Sequence, residues 1–215
     1  MVNTLNLDRR TGALYGTRGD RFDPRERRWV VLPEVPAEAP VPGERVSLAD
    51  AVGWLQRDSG HPLRVPIGVI GPRAATVAQL AVAEALGEGL ATRGYFVVCG
   101  GRAGVMEAVC RGVAVRGGIA VGLTPDTDPA LANPYAAIFI ATGIGEARNA
   151  IIARASFCLI AVGDSHGTLS EVALGLHFGK TVIGLAGAAQ IPGVQPAATV
   201  DEALARVDRV ALALA

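Results

Sequence analysis

The chain has 215 residues, half of them hydrophobic, with 20 basic and 20 acidic side chains and a formal net charge of zero. This length suits one domain with an extension or two small domains, and the balanced charge argues against a general nucleic-acid binder, which usually carries a basic excess. The polar N-terminus does not resemble a signal peptide, and no apolar run reaches the ~18 residues of a membrane span, so we expect a cytoplasmic protein without a membrane segment.

The first 63 residues are rich in Arg, Pro and charge, and we predict that residues 1–63 form an N-terminal extension to a domain at 64–215. Residues 4–7 and 13–15 flank a glycine-containing loop, which predicts a β-hairpin, and residues 29–32 suit a third strand. Ser47 predicts the N-cap of a short helix that runs to about Arg57. Because proline lacks the donor that a central strand needs, we predict an extended linker before this helix, at Pro33, Pro36, Pro40 and Pro42.

A basic cluster with interleaved acidic residues lies between the hairpin and the linker and consists of Arg18, Arg21, Arg25, Arg27 and Arg28. One interpretation is a solvated loop in which Asp20, Asp23 and Glu26 balance the charge. The other is an arm that reaches across the site of a partner subunit. The sequence leaves both open.

From residue 64 onward, short apolar runs alternate with helical patterns. The apolar runs are 65–70, 95–98, 119–123, 136–141, 157–162 and 181–185, and the helical patterns are 74–92, 105–116, 146–155, 168–178 and 200–213. Short, continuously apolar strands separated by helices predict an α/β fold, a Rossmann-like, doubly wound, mostly parallel sheet with helices on both faces. Ligands bind to such sheets at the carboxyl ends of the strands, so the residues after each apolar run are the candidates for function.

Glycines follow the first two strands of this region. The first turn contains Gly71 and Arg73 but lacks a complete G-x-G-x-x-G, so it is not a standard dinucleotide fingerprint. The second turn contains Gly100, Gly101, Arg102 and Gly104 and opens a helix. Glycines let the backbone approach a ligand, and the free N–H groups of a helix N-terminus suit a phosphate. We therefore predict a phosphate-bearing ligand at the second turn, with Met106 in the core.

The turn after the apolar run at 136–141 carries Gly143 and Gly145, followed by Arg148 and Asn149 in the first turn of a helix. A cation there opposes the helix dipole. This cost is acceptable if the arginine faces an anion or an acidic side chain such as Glu171. We therefore assign Arg148 a functional role.

The turn after the apolar run at 157–162 contains Gly163, Asp164, Ser165, His166, Gly167 and Thr168, with Glu171 one helical turn later. Thr168 can offer both its N–H and its hydroxyl to an anion. His166 is either a donor or general acid, or an exposed loop histidine. Glu171 is either an acid beside an anion site or part of the helix cap.

Three segments, Gly100–Ala108, Thr142–Ala150 and Gly167–Glu171, together resemble one superfamily of Rossmann-like proteins. It contains the molybdenum-cofactor carrier proteins, the "lonely guy" (lysine decarboxylase-like) cytokinin-activating phosphoribohydrolases and the DNA-processing-protein-A-related domains. The resemblance covers about residues 65–187 and is closest to the carrier branch. It implies a homodimer or homotetramer and a phosphate site at the Gly167–Thr168 helix start.

In the phosphoribohydrolases, the residues that match Arg148 and Glu171 are catalytic and cleave the N-glycosidic bond of a nucleoside 5′-monophosphate. A carboxylate near the anomeric carbon can stabilise an oxocarbenium-like transition state or orient water. The chain departs from the family where Asp164 and Ser165 stand in place of glycines. Asp164 can repel the ligand, or it can cap the helix and mimic the anion, whereas Ser165 can add a donor.

Three functions follow from the residues and the resemblance. The first is binding, without turnover, of a phosphate-bearing nucleotide or molybdopterin-type cofactor, as in a molybdenum-cofactor carrier. The second is a phosphoribohydrolase that releases base and ribose 5-phosphate, with Arg148 and Glu171 as catalytic residues. The third is a nucleotide-sensing or DNA-processing-related domain. The three histidines and three cysteines show no ligand spacing, so we expect no metal site formed by the protein itself.

Overall fold

A computed structural model describes residues 4–32 and 40–214. Pro33 and Pro36 of the expected linker lie outside these residues. The chain divides into two compact units, residues 1–63 with 205–215, and residues 64–204. The C-terminal residues 205–215, which the sequence places in the larger domain, therefore group with the N-terminal unit.

The described residues contain twelve strands, six α-helices and two short 3-10 helices at Pro129–Leu131 and Gly145–Ala147. The strands are β1 Leu5–Asp8, β2 Ala13–Tyr15, β3 Arg21–Asp23, β4 Arg28–Val30, β5 Glu44–Val46, β6 Ile67–Ile70, β7 Val97–Cys99, β8 Ala120–Thr124, β9 Ile138–Ala141, β10 Leu159–Val162, β11 Val182–Leu185 and β12 Val194–Pro196. The helices are α1 Leu48–Arg57, α2 Val77–Arg93, α3 Val105–Val115, α4 Arg148–Ala155, α5 His166–His177 and α6 Val200–Ala211.

The N-terminal unit contains a five-stranded antiparallel sheet in the order β4-β3-β2-β1-β5. The predicted hairpin is confirmed as β1 and β2, and the carboxylate of Asp8 accepts hydrogen bonds from the N–H groups of Arg10 and Thr11 in its turn. β4 covers part of the expected third strand. The sequence missed β3 and β5, which are only three residues long. Arg21 and Arg28 lie on paired strands, so the basic cluster is not wholly a loop.

Helix α1 begins as predicted. The Ser47 hydroxyl accepts a hydrogen bond from the N–H of Asp50, and the Asp50 carboxylate accepts one from the N–H of Ser47, which is a capping box. These reciprocal bonds satisfy two of the backbone donors that a helix start otherwise leaves free.

The larger unit contains a seven-stranded parallel sheet in the order β12-β11-β10-β6-β7-β8-β9, flanked by helices. The predicted fold class is confirmed. The central strands β6, β7, β10 and β11 are apolar along their length and wholly buried because both faces are covered, whereas the edge strands β9 and β12 are partly exposed. Helices α2 and α3 pack closely because Gly87 and Gly112 leave their backbones in contact distance.

The strand order indicates where a ligand would bind. From β6 the chain proceeds outward through β7 and β8 to β9, then returns to β10 on the other side of β6. The carboxyl ends of β6 and β10 therefore flank the point where the strand order reverses, which is where open α/β sheets bind ligands. Among the residues described, no helix combines the length and apolar character needed to cross a membrane.

Candidate functional site

A cavity of about 630 Å³ lies at the carboxyl ends of β6, β7 and β10, at this reversal point. Its volume suits a small-molecule ligand. Its lining comes from four segments, Gly71–Ala74, Arg102 with Met106, Glu146 with Arg148 and Asn149, and Asp164–Thr168 with Ser170 and Glu171.

The centre of the cavity is a buried ion pair between α4 and α5. Arg148 Nη1 lies 3.2 Å from Glu171 Oε1, and the two side chains are 7% and 8% exposed. The sequence left open whether Arg148 faces an anion or an acidic side chain such as Glu171, and the structure places Glu171 beside it. Among the described residues, Arg148 Nε is buried and has no hydrogen-bond partner. An unpaired donor on a buried guanidinium is uncommon, which makes Arg148 a candidate binding group.

The environment of Glu171 favours its protonated form. Burial raises the pKa of Glu171, Arg148 lowers it in part, and the charge of Glu146 raises it again, with a net value of about 7. A carboxyl group with a pKa near neutrality can either donate or accept a proton at physiological pH. This group is therefore chemically suited to acid or base work as well as to binding.

Asn149 links this pair to the start of α5. Arg148 Nη1 donates to Asn149 Oδ1, and Asn149 Nδ2 donates to Ser170 Oγ at 2.9 Å. The Ser170 hydroxyl in turn donates to the carbonyl of Gly167 at 2.7 Å. Asn149 is 5% exposed, so its amide orients the arginine through a buried network.

Of the N-termini of α3 and α5, that of α5 is better placed to bind an anion. Ser165 is its N-cap and accepts a hydrogen bond from the N–H of Thr168 at 3.1 Å, and the two hydroxyls lie 2.8 Å apart. The cap is therefore Ser165 and not Asp164, which is exposed at the cavity. The N–H groups of His166 and Gly167 have no acceptor inside the helix, because they belong to its first turn. These donors and the helix dipole suit a phosphate.

The glycine turn before α3 has a structural role. A Cβ on Gly104 would lie 2.3 Å from the carbonyl oxygen of Arg73, and the N–H of Val105 donates to the carbonyl of Pro72 at 3.1 Å. The α3 start therefore packs against the β6 turn, and one of its free donors is already used. Neither Gly100, Gly101 nor Gly104 lines the cavity. The phosphate position favoured by the sequence is thus less open than the α5 start.

Arg102, from the same turn, does reach the cavity wall and is paired there with an acid. Its guanidinium contacts both carboxylate oxygens of Asp126, on the loop after β8, and its Nε donates to Asp126 Oδ2 at 2.9 Å. This contact and the nearby charge of Arg73 lower the pKa of Asp126. Arg73 is exposed and lines the same cavity.

The structure groups most of the residues singled out from the sequence. The predicted residues that line the cavity are Gly71, Arg73, Arg102, Arg148, Asn149, Ser165, His166, Gly167, Thr168 and Glu171. Gly143 and Gly163 do not line it, and both shape turns with positive φ. Met106, expected in the core, is 5% exposed but also contacts the cavity.

Sequence reasoning missed Pro72, Ala74, Glu146 and Ser170 as lining residues. Two of them follow directly from the predicted turns, because Pro72 and Ala74 flank Arg73 after β6. The other two could have been found from their neighbours, since Glu146 lies in the 3-10 turn two residues before Arg148 and Ser170 adjoins Glu171 on α5.

Comparison with known proteins gives a consistent picture. The sequence model of the SLOG cluster4 family matches residues 64–213. An uncharacterized protein of Archaeoglobus fulgidus is 40% identical over 138 residues, which cover 64% of this chain and 91% of that protein. The molybdenum cofactor binding protein of Rippkaea orientalis is 33% identical with a TM-score of 0.65, over 69% of this chain and 98% of that one. The molybdenum cofactor carrier protein of Chlamydomonas reinhardtii is 35% identical with a TM-score of 0.62, over 68% and 98%.

Proposed function

Since this chain belongs to the SLOG cluster4 family, we propose that its larger unit binds a phosphate-bearing nucleotide or molybdopterin-type cofactor and holds it without turning it over. The observation that carries this proposal is the buried Arg148, whose Nε has no partner among the described residues and which lines the cavity beside the α5 start. Solved structures similar to this chain include two proteins described as binding or carrying the molybdenum cofactor.

The donors around the cavity fit a phosphate ester. The free N–H groups at His166 and Gly167 would hold the phosphate, and Arg148 would supply a charge-assisted hydrogen bond. The molybdenum cofactor carries a phosphate and would bring its own metal, so this role requires no metal ligands from the protein. Within the described ranges no cluster of three or more metal-ligating side chains occurs.

The hydrolase function remains a second candidate because of one observation. Glu171 is buried beside Arg148 and its pKa is raised to about 7, which suits a group that exchanges protons with a substrate. In a nucleoside 5′-monophosphate bound with its phosphate at α5, Glu171 would act near the sugar and Arg148 would hold the anionic end.

One experiment separates binding from hydrolysis. The purified protein is titrated with AMP by calorimetry and then incubated with AMP while free adenine is followed by chromatography. We expect binding that is lost in Arg148→Met, with no release of adenine. Adenine release that disappears in Glu171→Gln would establish the hydrolase instead. Binding of AMP that is unchanged in Arg148→Met would remove this cavity from consideration.

We also propose that the chain acts as a homodimer or homotetramer, as the resemblance to the carrier proteins implies, and that it works in the cytoplasm. Sedimentation of the purified chain tests the first part, because a monomer at micromolar concentration would contradict it.

A further inference from the structure

The cavity is wider than one phosphate needs. It extends over the ends of three neighbouring strands, in the order β10, β6 and β7. The α5 start follows β10, whereas Arg102 follows β7. Because neighbouring strands lie about 4.8 Å apart, the ends of β10 and β7 are separated by roughly 10 Å. A ligand that spans the cavity can therefore contact both the α5 start and Arg102.

We propose that Arg102, now paired with Asp126, forms a second anion subsite with Arg73, and that the ligand carries two anionic groups. This rests on the proposed function, because the first anionic group is the phosphate at α5. The second group takes the place of the Asp126 carboxylate on Arg102. The ligand class is therefore a small molecule with two separated anions, such as a nucleoside bisphosphate.

The Arg102–Asp126 pair is suited to such an exchange. Both side chains are partly exposed, at 19% and 24%, so solvent screens their attraction. Arg102 and Arg73 line the cavity, whereas Asp126 is not among its described lining residues. A ligand anion would therefore reach the two arginines from the cavity and would displace the Asp126 carboxylate from Arg102.

The loop that carries Asp126 does not depend on this ion pair for its position. The N–H of Asn133 donates to the carbonyl of Gly101 at 3.0 Å, and the N–H of Gly145 donates to the carbonyl of Pro125 at 3.1 Å. The carbonyl of Asp126 itself accepts from the N–H of Gly143 at 3.1 Å. These are backbone bonds and remain when the Asp126 side chain changes. A change of the Asp126 side chain should therefore alter the charge around Arg102 without displacing the loop.

The test compares two probes that differ by one phosphate, AMP and adenosine 3′,5′-bisphosphate, by titration calorimetry at low salt. We expect the wild-type protein to bind the bisphosphate about tenfold more tightly, because the additional charge-assisted contact is worth roughly one such factor. Asp126→Asn should widen this ratio about fivefold, since Arg102 then has no competing carboxylate. Arg102→Gln should reduce the ratio to near one.

Asp128→Asn is the matched control. Asp128 lies in the same loop, and its carboxylate accepts from the N–H of Ala130 at 2.8 Å, so the substitution removes the same charge without touching Arg102. It should leave the ratio at its wild-type value. Arg102→Lys, which keeps the charge but loses the paired geometry, should give an intermediate ratio and remains informative if Arg102→Gln does not fold.

The outcomes distinguish this inference from the function it rests on. AMP binding together with a ratio that Asp126→Asn and Arg102→Gln leave unchanged would overturn the second subsite and leave the first phosphate site intact. An equal change in Asp126→Asn and Asp128→Asn would also overturn it, because the effect would then be general charge. Failure of the wild-type protein to bind either probe would overturn both.

Discussion

Gly100 leaves the space that the guanidinium of Arg148 occupies. A Cβ at position 100 would lie 2.8 Å from Arg148 Nη2 and 2.6 Å from Met106 Sδ. The glycine at the end of β7 therefore acts on the arginine of α4, although neither the sequence spacing nor the turn itself indicates this. The absence of a side chain at Gly100 lets a charged group enter the buried end of the cavity.

The first prediction concerns this space. Gly100→Ala should displace Arg148 and weaken phosphate-ligand binding by about tenfold or more, since a hydrogen bond to a charged group contributes about 1.5–3 kcal/mol. Calorimetric titration with AMP measures the effect. Gly118→Ala is the matched control. Its Cβ would lie 2.7 Å from the Cβ of Ala91, and neither residue lines the cavity, so the substitution should lower stability without changing affinity. Wild-type affinity in a folded Gly100→Ala protein would contradict the steric account.

The second prediction concerns pH. The pKa of Glu171 is raised to about 7 in the folded protein, so the folded state binds this proton more tightly than the unfolded chain does. Its contribution to stability is complete below the ordinary value of about 4.5 and is lost as the pH rises through about 7. The loss amounts to at most about 3 kcal/mol in the free energy of unfolding.

Urea unfolding at pH 5 and pH 8 measures this change. Glu171→Gln cannot ionise, so it should lose less stability than the wild type between the two pH values. Glu84→Gln serves as the control, because Arg111 lowers the pKa of Glu84 and its titration lies below this range. Equal pH dependence in the wild type and Glu171→Gln would show that Glu171 ionises normally.

The third prediction concerns the cap of α5. Ser165→Ala removes the acceptor of the Thr168 N–H and should cost about 1 kcal/mol of stability. It should also weaken AMP binding, because the first turn of α5 then loses its fixed geometry. Ser47→Ala removes the corresponding cap of α1 in the other unit and should cost a similar amount without changing affinity. If both variants bind AMP as the wild type does, the α5 start does not hold the phosphate.

The fourth prediction concerns the charge of Asp164. Because Ser165 provides the cap, Asp164→Asn should leave thermal stability nearly unchanged. It should tighten phosphate binding about two- to fivefold at low salt, and the gain should shrink as salt screens the carboxylate. Asp58→Asn, in the N-terminal unit, removes the same charge as a control. Weaker binding in Asp164→Asn would instead make Asp164 a contact of the ligand.

The sequence by itself determined the alternation of strands and helices, since burial on both faces requires apolar runs and some helix starts carry a side-chain cap. Ser47 shows this, because its hydroxyl and the Asp50 carboxylate three residues later contain all the information for the start of α1. The turns that follow β6, β7 and β10 were identified because a glycine ends each apolar run. The short strands β3 and β5 were missed because each contains two charged residues and no apolar run.

Only the tertiary structure decided which turns meet and what each charge contacts. Arg102 is paired with Asp126, 24 residues away, and the Gly104 turn packs against the carbonyls of the β6 turn. Burial and the pairing of Arg148 with Glu171 depend on strand order, which places β10 beside β6. Local patterns specify the elements because their periods lie within a few residues. The contacts between strand ends depend on long-range packing, which no short segment encodes.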